Sequence, residues 1–136
     1  MTLPLIEERR QKTGGYTMDC KGIALAAARA LDAKKGTDIV VLKVDELTVI
    51  TDYLVIATGH SVPQVKALAE HVEEELAKEE IFARRREGLG EGHWCVLDYG
   101  DVMVHIFHEK ERAYYQLENL WSNGLNEVSF EAAPEA

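Results

Sequence analysis

A short β-hairpin is the feature of this sequence that most restricts its fold. Residues 93–99 and 102–107 are two runs of strand-like composition, and only Gly100 and Asp101 separate them. A two-residue connection that contains glycine is typical of a tight turn between antiparallel strands. Such a turn fixes the register, because each residue of one strand then faces a known residue of the other. The sequence therefore predicts which side chains of the two strands share a face.

One face of the predicted hairpin is apolar throughout. Directly opposed residues of antiparallel strands point to the same side of a sheet. With the turn at residues 100 and 101, this face carries three pairs: Tyr99 with Val102, Leu97 with Val104, and Cys95 with Ile106. We therefore expect it to lie on the core.

The opposite face of the hairpin mixes aromatic, apolar and charged groups, and it allows two interpretations. Its three pairs are Trp94 with Phe107, Val96 with His105, and Asp98 with Met103. In the first interpretation, a helix over about residues 110–121 covers this face, with Tyr114, Leu117, Leu120 and Trp121 pointing inward. In the second, the face is partly open and binds another protein, since an exposed Trp and Met beside a charge are typical of an interface centre.

The residues before the hairpin predict an α/β domain. Apolar residues recur at helical spacing over 20–31, and Lys34-Lys35-Gly36 follows where a helix would end. The β-branched runs 38–44 and 52–58 are apolar enough to be buried on both faces, which predicts two central strands. Ser61, Pro63 and Gln64 then start a second helix, whose apolar stripe runs from residue 65 to residue 76.

Length and charge set the domain organisation and the class of partner. The chain has 136 residues, enough for one core, and we expect the folded domain to span residues 17–124. Residues 1–16 are expected to be a flexible lead-in and residues 125–136 a flexible acidic tail. The formal charge is −9, which disfavours a nucleic-acid binder that neutralises phosphates and favours a basic partner.

The sequence also carries signals about compartment. No apolar run near the start is as long as that of a signal peptide. No apolar run anywhere approaches the roughly 20 residues that are needed to span a bilayer. The two cysteines make no disulfide framework. We therefore expect a cytoplasmic protein without membrane contact.

Potential metal ligands and nucleophiles do not form a recognisable constellation. The hairpin register puts Cys95 and His105 on opposite faces, so these ligands do not converge. Ser61 is explained as a helix cap, and the spacing of Asp98 and Asp101 does not favour a magnesium site. We expect no catalytic residue, no metal and no cofactor.

Four segments of the chain, in order, resemble the ribosomal silencing factor family, also called RsfS or Iojap. They are residues 50–59, 65–72, 93–105 and 114–121, the last ending in Leu-Glu-Asn-Leu-Trp before Ser122. The resemblance covers roughly residues 20–122. Its most specific part is the hairpin motif that begins at Trp94 and continues through Asp-Tyr-Gly-Asp-Val-Met-Val-His to His105.

The resemblance implies a fold, a partner and a set of contact residues. The fold is a small mixed β-sheet flanked by helices, similar to nucleotidyltransferases. The partner is the large ribosomal subunit, bound through its universal protein number fourteen so that the small subunit cannot join, which lowers translation when nutrients are scarce. Members of the family also self-associate, so a homodimer is an additional expectation.

The family's contact surface matches the hairpin, which favours the open interpretation of its mixed face. Trp94, Asp98 and Tyr99 match that surface, with Asp101 at the tip. We expect an apolar anchor of Trp94, Val96 and Met103, and polar contacts from Asp98, Asp101 and His105.

A nucleotidyltransferase-like enzyme acting on a nucleotide is the alternative that this fold raises. Such an enzyme resembles Gly-Ser followed by an Asp-x-Asp or Asp-x-Glu pair. Here Gly59-His60-Ser61 leads into a helix, and no such strand-borne pair follows. We therefore expect no catalysis.

Overall fold

A five-stranded mixed sheet with helices on both faces forms the domain. The computed structural model describes residues 18–130. Its elements are α1 (Cys20–Ala33), β1 (Thr37–Lys43), β2 (Tyr53–Gly59), α2 (Val62–Ala77), β3 (Arg85–Glu87), β4 (Trp94–Asp98), β5 (Val102–His108), α3 (Glu109–Tyr115) and α4 (Leu117–Trp121). The strand order is β1-β2-β5-β4-β3, and only β2 and β5 run parallel. The predicted α/β class with a mixed sheet is confirmed.

The two strands predicted to be central differ in position. All seven residues of β2 are buried, because this strand has a neighbour on each side and helices on both faces. β1 lies at the edge of the sheet and is only partly buried, so its prediction as a central strand is wrong. The apolar composition of β1 reflects packing on the two faces of the sheet. It carries no information about whether a second strand lies beside β1.

Helices α1 and α2 cover one face of the sheet and close the main core. Both start at a capping side chain: Asp19 Oδ1 accepts from Gly22 N at 2.8 Å, and Ser61 Oγ, the predicted cap of α2, accepts from Gln64 N at 3.2 Å. The apolar stripes of both helices are buried against the sheet, as their spacing predicts. The apolar side of the hairpin completes this core with Cys95, Leu97, Val104 and Ile106.

The other face of the sheet is covered by two short helices where one is predicted. Gln116 has φ 47° and ψ 50°, in the left-handed region, and this residue separates α3 from α4. Leu117 and Trp121 pack on the sheet, but Tyr114 and Leu120 are 81% and 73% exposed. The expectation that all four point inward is therefore wrong for Tyr114 and Leu120. Leu120 lies on α4, which starts in a new direction after the break, and Tyr114 lies on the exposed side of α3.

The segment after α4 returns to the sheet. Lys43 N donates to Asn126 O at 2.9 Å, and Val128 N donates to Val41 O at 2.7 Å, so this segment pairs with the outer edge of β1. Val128 and Phe130 pack against the main core. The expectation of a flexible tail is thus wrong for residues 126–130, because two apolar side chains and an available strand edge outweigh the acidic composition.

The two ends of the chain lie partly outside the structure. The predicted lead-in, residues 1–16, and the last six residues, 131–136, lie outside the described part. Within residues 18–130, no helix has the length and apolar character needed to cross a membrane.

Candidate partner-binding face

The hairpin has the register that its two-residue turn predicts. Tyr99 N donates to Val102 O at 2.8 Å, and Gly100 has φ 88°, a conformation that favours glycine. The observed pairs on the mixed side are Trp94 with Phe107, Val96 with His105, and Asp98 with Met103. This side is turned away from α1 and α2. We call its surface, formed by Trp94, Val96, Asp98, Met103 and His105, the β4–β5 face.

Trp94 is held in place by aromatic neighbours. Its ring stacks on Phe107 with 4.7 Å between centroids, and the ring of Tyr115 lies 4.8 Å away. Its indole Nε1 donates to Nδ1 of His105 at 3.1 Å. The side chain is nevertheless only partly buried, so a fixed indole remains accessible at the surface.

His105 lies beneath the surface that it was expected to form. It is 8% exposed, and burial lowers the pKa of its imidazole to about 4. Because Nδ1 accepts the indole proton, the imidazole is neutral at physiological pH. The structure gives His105 an internal role, orienting Trp94, and leaves it little surface for a partner.

The remaining residues of the face form a half-buried strip. Val96 and Met103 are partly exposed beside Trp94. Asp98 closes the strip: its Oδ1 accepts from Gly100 N at 2.8 Å, and its Oδ2 lies 4.0 Å from Nε of Arg85. The short helices cover β1, β2 and Phe107 but do not bury this strip. The β4–β5 face is therefore partly open.

Tyr99 and Asp101 do not share this face with Trp94. Tyr99 follows Asp98 directly, so strand alternation turns it to the opposite side, where it packs against the main core. Its hydroxyl is buried without a hydrogen-bond partner among residues 18–130, and burial raises its pKa. Asp101 is also buried, and its carbonyl accepts from Asp52 N at 2.9 Å and Tyr53 N at 3.0 Å. Five of the seven predicted site residues thus lie together, and these two lie elsewhere.

A cluster that sequence spacing could not reveal forms at the turn. Ligand atoms of Cys20, Asp52 and Asp101 lie within 4.8 Å of one another, the one such group among the described residues that could hold a metal ion. The Cys20 thiol donates to Asp52 Oδ2 at 3.7 Å. Burial and the two carboxylates raise the pKa of Cys20 to about 12, so the thiol stays protonated and links α1 to the turn.

Comparison with known proteins gives consistent matches over most of the chain. A family model described as "Ribosomal silencing factor during starvation" matches residues 17–136. Ribosomal silencing factor RsfS of Bacillus subtilis is 39% identical over 106 residues, covering 78% of this chain and 90% of that protein. The chloroplastic protein Iojap of Zea mays is 35% identical over 106 residues, covering 77% of this chain and 46% of that protein.

A solved structure is similar to the fold described above. The crystal structure of a Chromobacterium violaceum protein matches with a TM-score of 0.75 and 37% identity, covering 85% of this chain and 95% of that one.

Proposed function

This chain belongs to the ribosomal silencing factor family, and we propose that it binds the large ribosomal subunit through universal protein number fourteen. In this proposal, the bound domain blocks the joining of the small subunit and so represses translation under nutrient limitation. The site of action is the cytoplasm, where the subunits meet. The family name supports a regulatory role at the ribosome, and the contact surface and the block are our inference.

The observation that carries the proposal is the partly open β4–β5 face. Trp94, Val96 and Met103 offer an apolar centre, and Asp98 offers a carboxylate at its edge. Buried aromatic anchors contribute most of the binding energy in many interfaces. Because Phe107 and His105 already hold Trp94, binding costs little side-chain entropy there.

The charge around this face fits a basic partner. Residues 93–118 contain five acidic and two basic side chains: Asp98, Asp101, Glu109, Glu111 and Glu118 against Lys110 and Arg112. Of these acids, Asp98 lies at the edge of the face beside Arg85, and Glu111 lies beside Trp94. Asp101 is buried elsewhere, and Glu109 pairs with His60 away from the face. Arg112 is buried and paired with Glu118, so it adds little positive charge to the surface. An acidic surface favours a basic ribosomal protein and repels the phosphates of RNA.

The proposed mechanism is steric and needs no reaction. Trp94, Val96 and Met103 insert into the partner, and Asp98 contacts its basic or hydroxyl groups. Tyr99, Asp101 and His105 act in this proposal by shaping the hairpin that presents those side chains. The family resemblance also predicts homodimers, and sedimentation equilibrium of the isolated protein would test that prediction separately.

The test is co-sedimentation of purified large subunits with Trp94→Ala. Loss of a central interface aromatic is expected to cost about 2 kcal/mol, roughly thirtyfold in affinity. Trp121→Ala is the matched control, because it removes the other tryptophan of the chain, also half-buried but on α4. We expect the control to bind within about threefold of wild type. A folded Trp94→Ala protein that binds as wild type does would show that this anchor is wrong.

A further inference from the structure

A cavity beside Trp94 extends the proposed interface. It has a volume of about 510 Å³ and lies between residues 88–91, the start of β4, and α3. We infer that it receives an arginine side chain of the ribosomal protein, with the guanidinium against Trp94 and Tyr115 and paired with Glu111. This inference rests on the proposed function, since it assigns a contact within that interface.

One carboxylate oxygen of Glu111 is available to accept a hydrogen bond from a donor outside the domain. Glu111 Oε1 is buried and has no hydrogen-bond partner among residues 18–130. Nδ1 of His108 lies 3.4 Å away and Nδ1 of His93 lies 3.9 Å away. His108 Nδ1 also lies 3.4 Å from Lys110 N, from which it accepts a hydrogen bond. A buried carboxylate oxygen without a donor is costly, and an incoming cation would remove that cost.

The cavity wall is suited to a planar cation. Trp94 and Tyr115 both line it, and their ring centroids are 4.8 Å apart. Arginine stacks its planar guanidinium on aromatic rings while its N–H groups bind a carboxylate, whereas lysine has no planar group to stack. Trp94 is fixed by Phe107 on its inner side, so the wall is already formed before binding.

The charge and size of the cavity favour a side chain over a metal ion. Glu91 and Glu111 line it, and none of its lining residues in the described chain is Lys or Arg. Its volume would leave a single ion mostly without ligands. Among residues 18–130, the side chains placed to hold a metal ion together are Cys20, Asp52 and Asp101, which lie outside this cavity.

The first test compares Glu111→Gln with Glu109→Gln in binding to purified large subunits. Glu111→Gln keeps the shape of the side chain and is expected to weaken binding about tenfold, with a smaller dependence on salt. Glu109→Gln removes the same charge from the same helix but lies outside the cavity, where it pairs with His60, so we expect less than a twofold change. Glu91→Gln, on the loop, is a second cavity variant with an expected loss of about threefold.

The second test identifies the arginine by changing the ribosomal protein. Each arginine of the ribosomal protein is replaced by alanine in turn. The affinity of each such variant is then measured for the wild-type domain and for the Glu111→Gln domain. One replacement should weaken wild-type binding about tenfold and have no further effect on Glu111→Gln. If no arginine shows this coupling, the inference is wrong.

Two other outcomes separate this inference from the proposed function. If Glu111→Gln and Glu109→Gln both bind as wild type does, the arginine site is wrong while the interface stands. If the wild-type protein does not bind large subunits, the proposed function fails and this inference fails with it. Loss of wild-type binding in chelator, restored by zinc, would overturn the arginine in favour of a metal ion.

Discussion

Trp94 and His105 have different tasks although they are in contact. The indole of Trp94 reaches the surface, and the imidazole beneath it accepts the indole proton at 3.1 Å. Protonation of His105 would remove that acceptor and place a charge in a buried site. The orientation of the proposed anchor therefore depends on an imidazole that stays neutral.

The free energy of unfolding should report this neutral imidazole. Below pH 6.5 the unfolded chain takes up a proton at His105, whereas the folded chain does so only near pH 4, so stability falls as the pH is lowered between these values. At pH 5 the loss from this residue is about 2 kcal/mol. His105→Gln keeps an acceptor but cannot be protonated.

Urea unfolding at pH 7.5 and pH 5 measures the effect. We expect the stability lost between the two pH values to be about 2 kcal/mol smaller in His105→Gln than in wild type. Equal losses in the two proteins would contradict a depressed pKa at His105.

At the scale of elements, the loop between β3 and β4 positions both Trp94 and the cavity. Gly88 has φ 82°, and a Cβ there would lie 1.9 Å from the carbonyl oxygen of Trp94. Gly90, two residues along, has open space around the corresponding position. The two glycines therefore form a matched pair for testing how tightly the loop is held.

We expect Gly88→Ala to lower the free energy of unfolding by about 2 kcal/mol or more, because the clash is with backbone and the conformation is strained. Gly90→Ala should change it by less than about 0.5 kcal/mol. Urea denaturation followed by circular dichroism provides the comparison. Similar stabilities of the two variants would mean that the loop adapts at no cost.

Several elements could be predicted from sequence because their signals are local. The two-residue turn determined the hairpin register, and Ser61 with Gln64 marked the start of α2. The break at Gln116 has no such signal, since glutamine is a good helix former. It is accompanied by tertiary contacts: Arg112 Nη1 donates to Thr58 Oγ1 at 2.8 Å, and Arg112 Nε donates to Glu118 across the break.

The part of the candidate site that depends on local signals could also be predicted from the sequence. Strand alternation brought Trp94, Val96 and Met103 together correctly, because the period of two acts between near neighbours. The burial of Asp101 depends on Cys20 and Asp52, which lie far away in the sequence. The cavity at Glu111 could not be predicted either, because its walls come from a loop, a strand and a helix whose packing no spacing encodes.

For the whole molecule, the unequal covering of the sheet decides what each face does. Helices α1 and α2 bury most of one face, so side chains there contribute to stability. The short helices α3 and α4 bury only part of the other face, so Trp94, Val96 and Met103 remain available. The domain thus presents a partly open apolar surface with Asp98 and Glu111 beside it, which suits the steric role that we propose.

Whole-ribosome formation on a sucrose gradient tests this account most directly. Purified large and small subunits are mixed with saturating wild-type protein, with Trp94→Ala at the same concentration, or with no addition. We predict that wild type strongly reduces the whole-ribosome peak and remains with the large subunit, whereas Trp94→Ala restores the peak. Undiminished subunit joining at saturating wild-type protein would contradict the account.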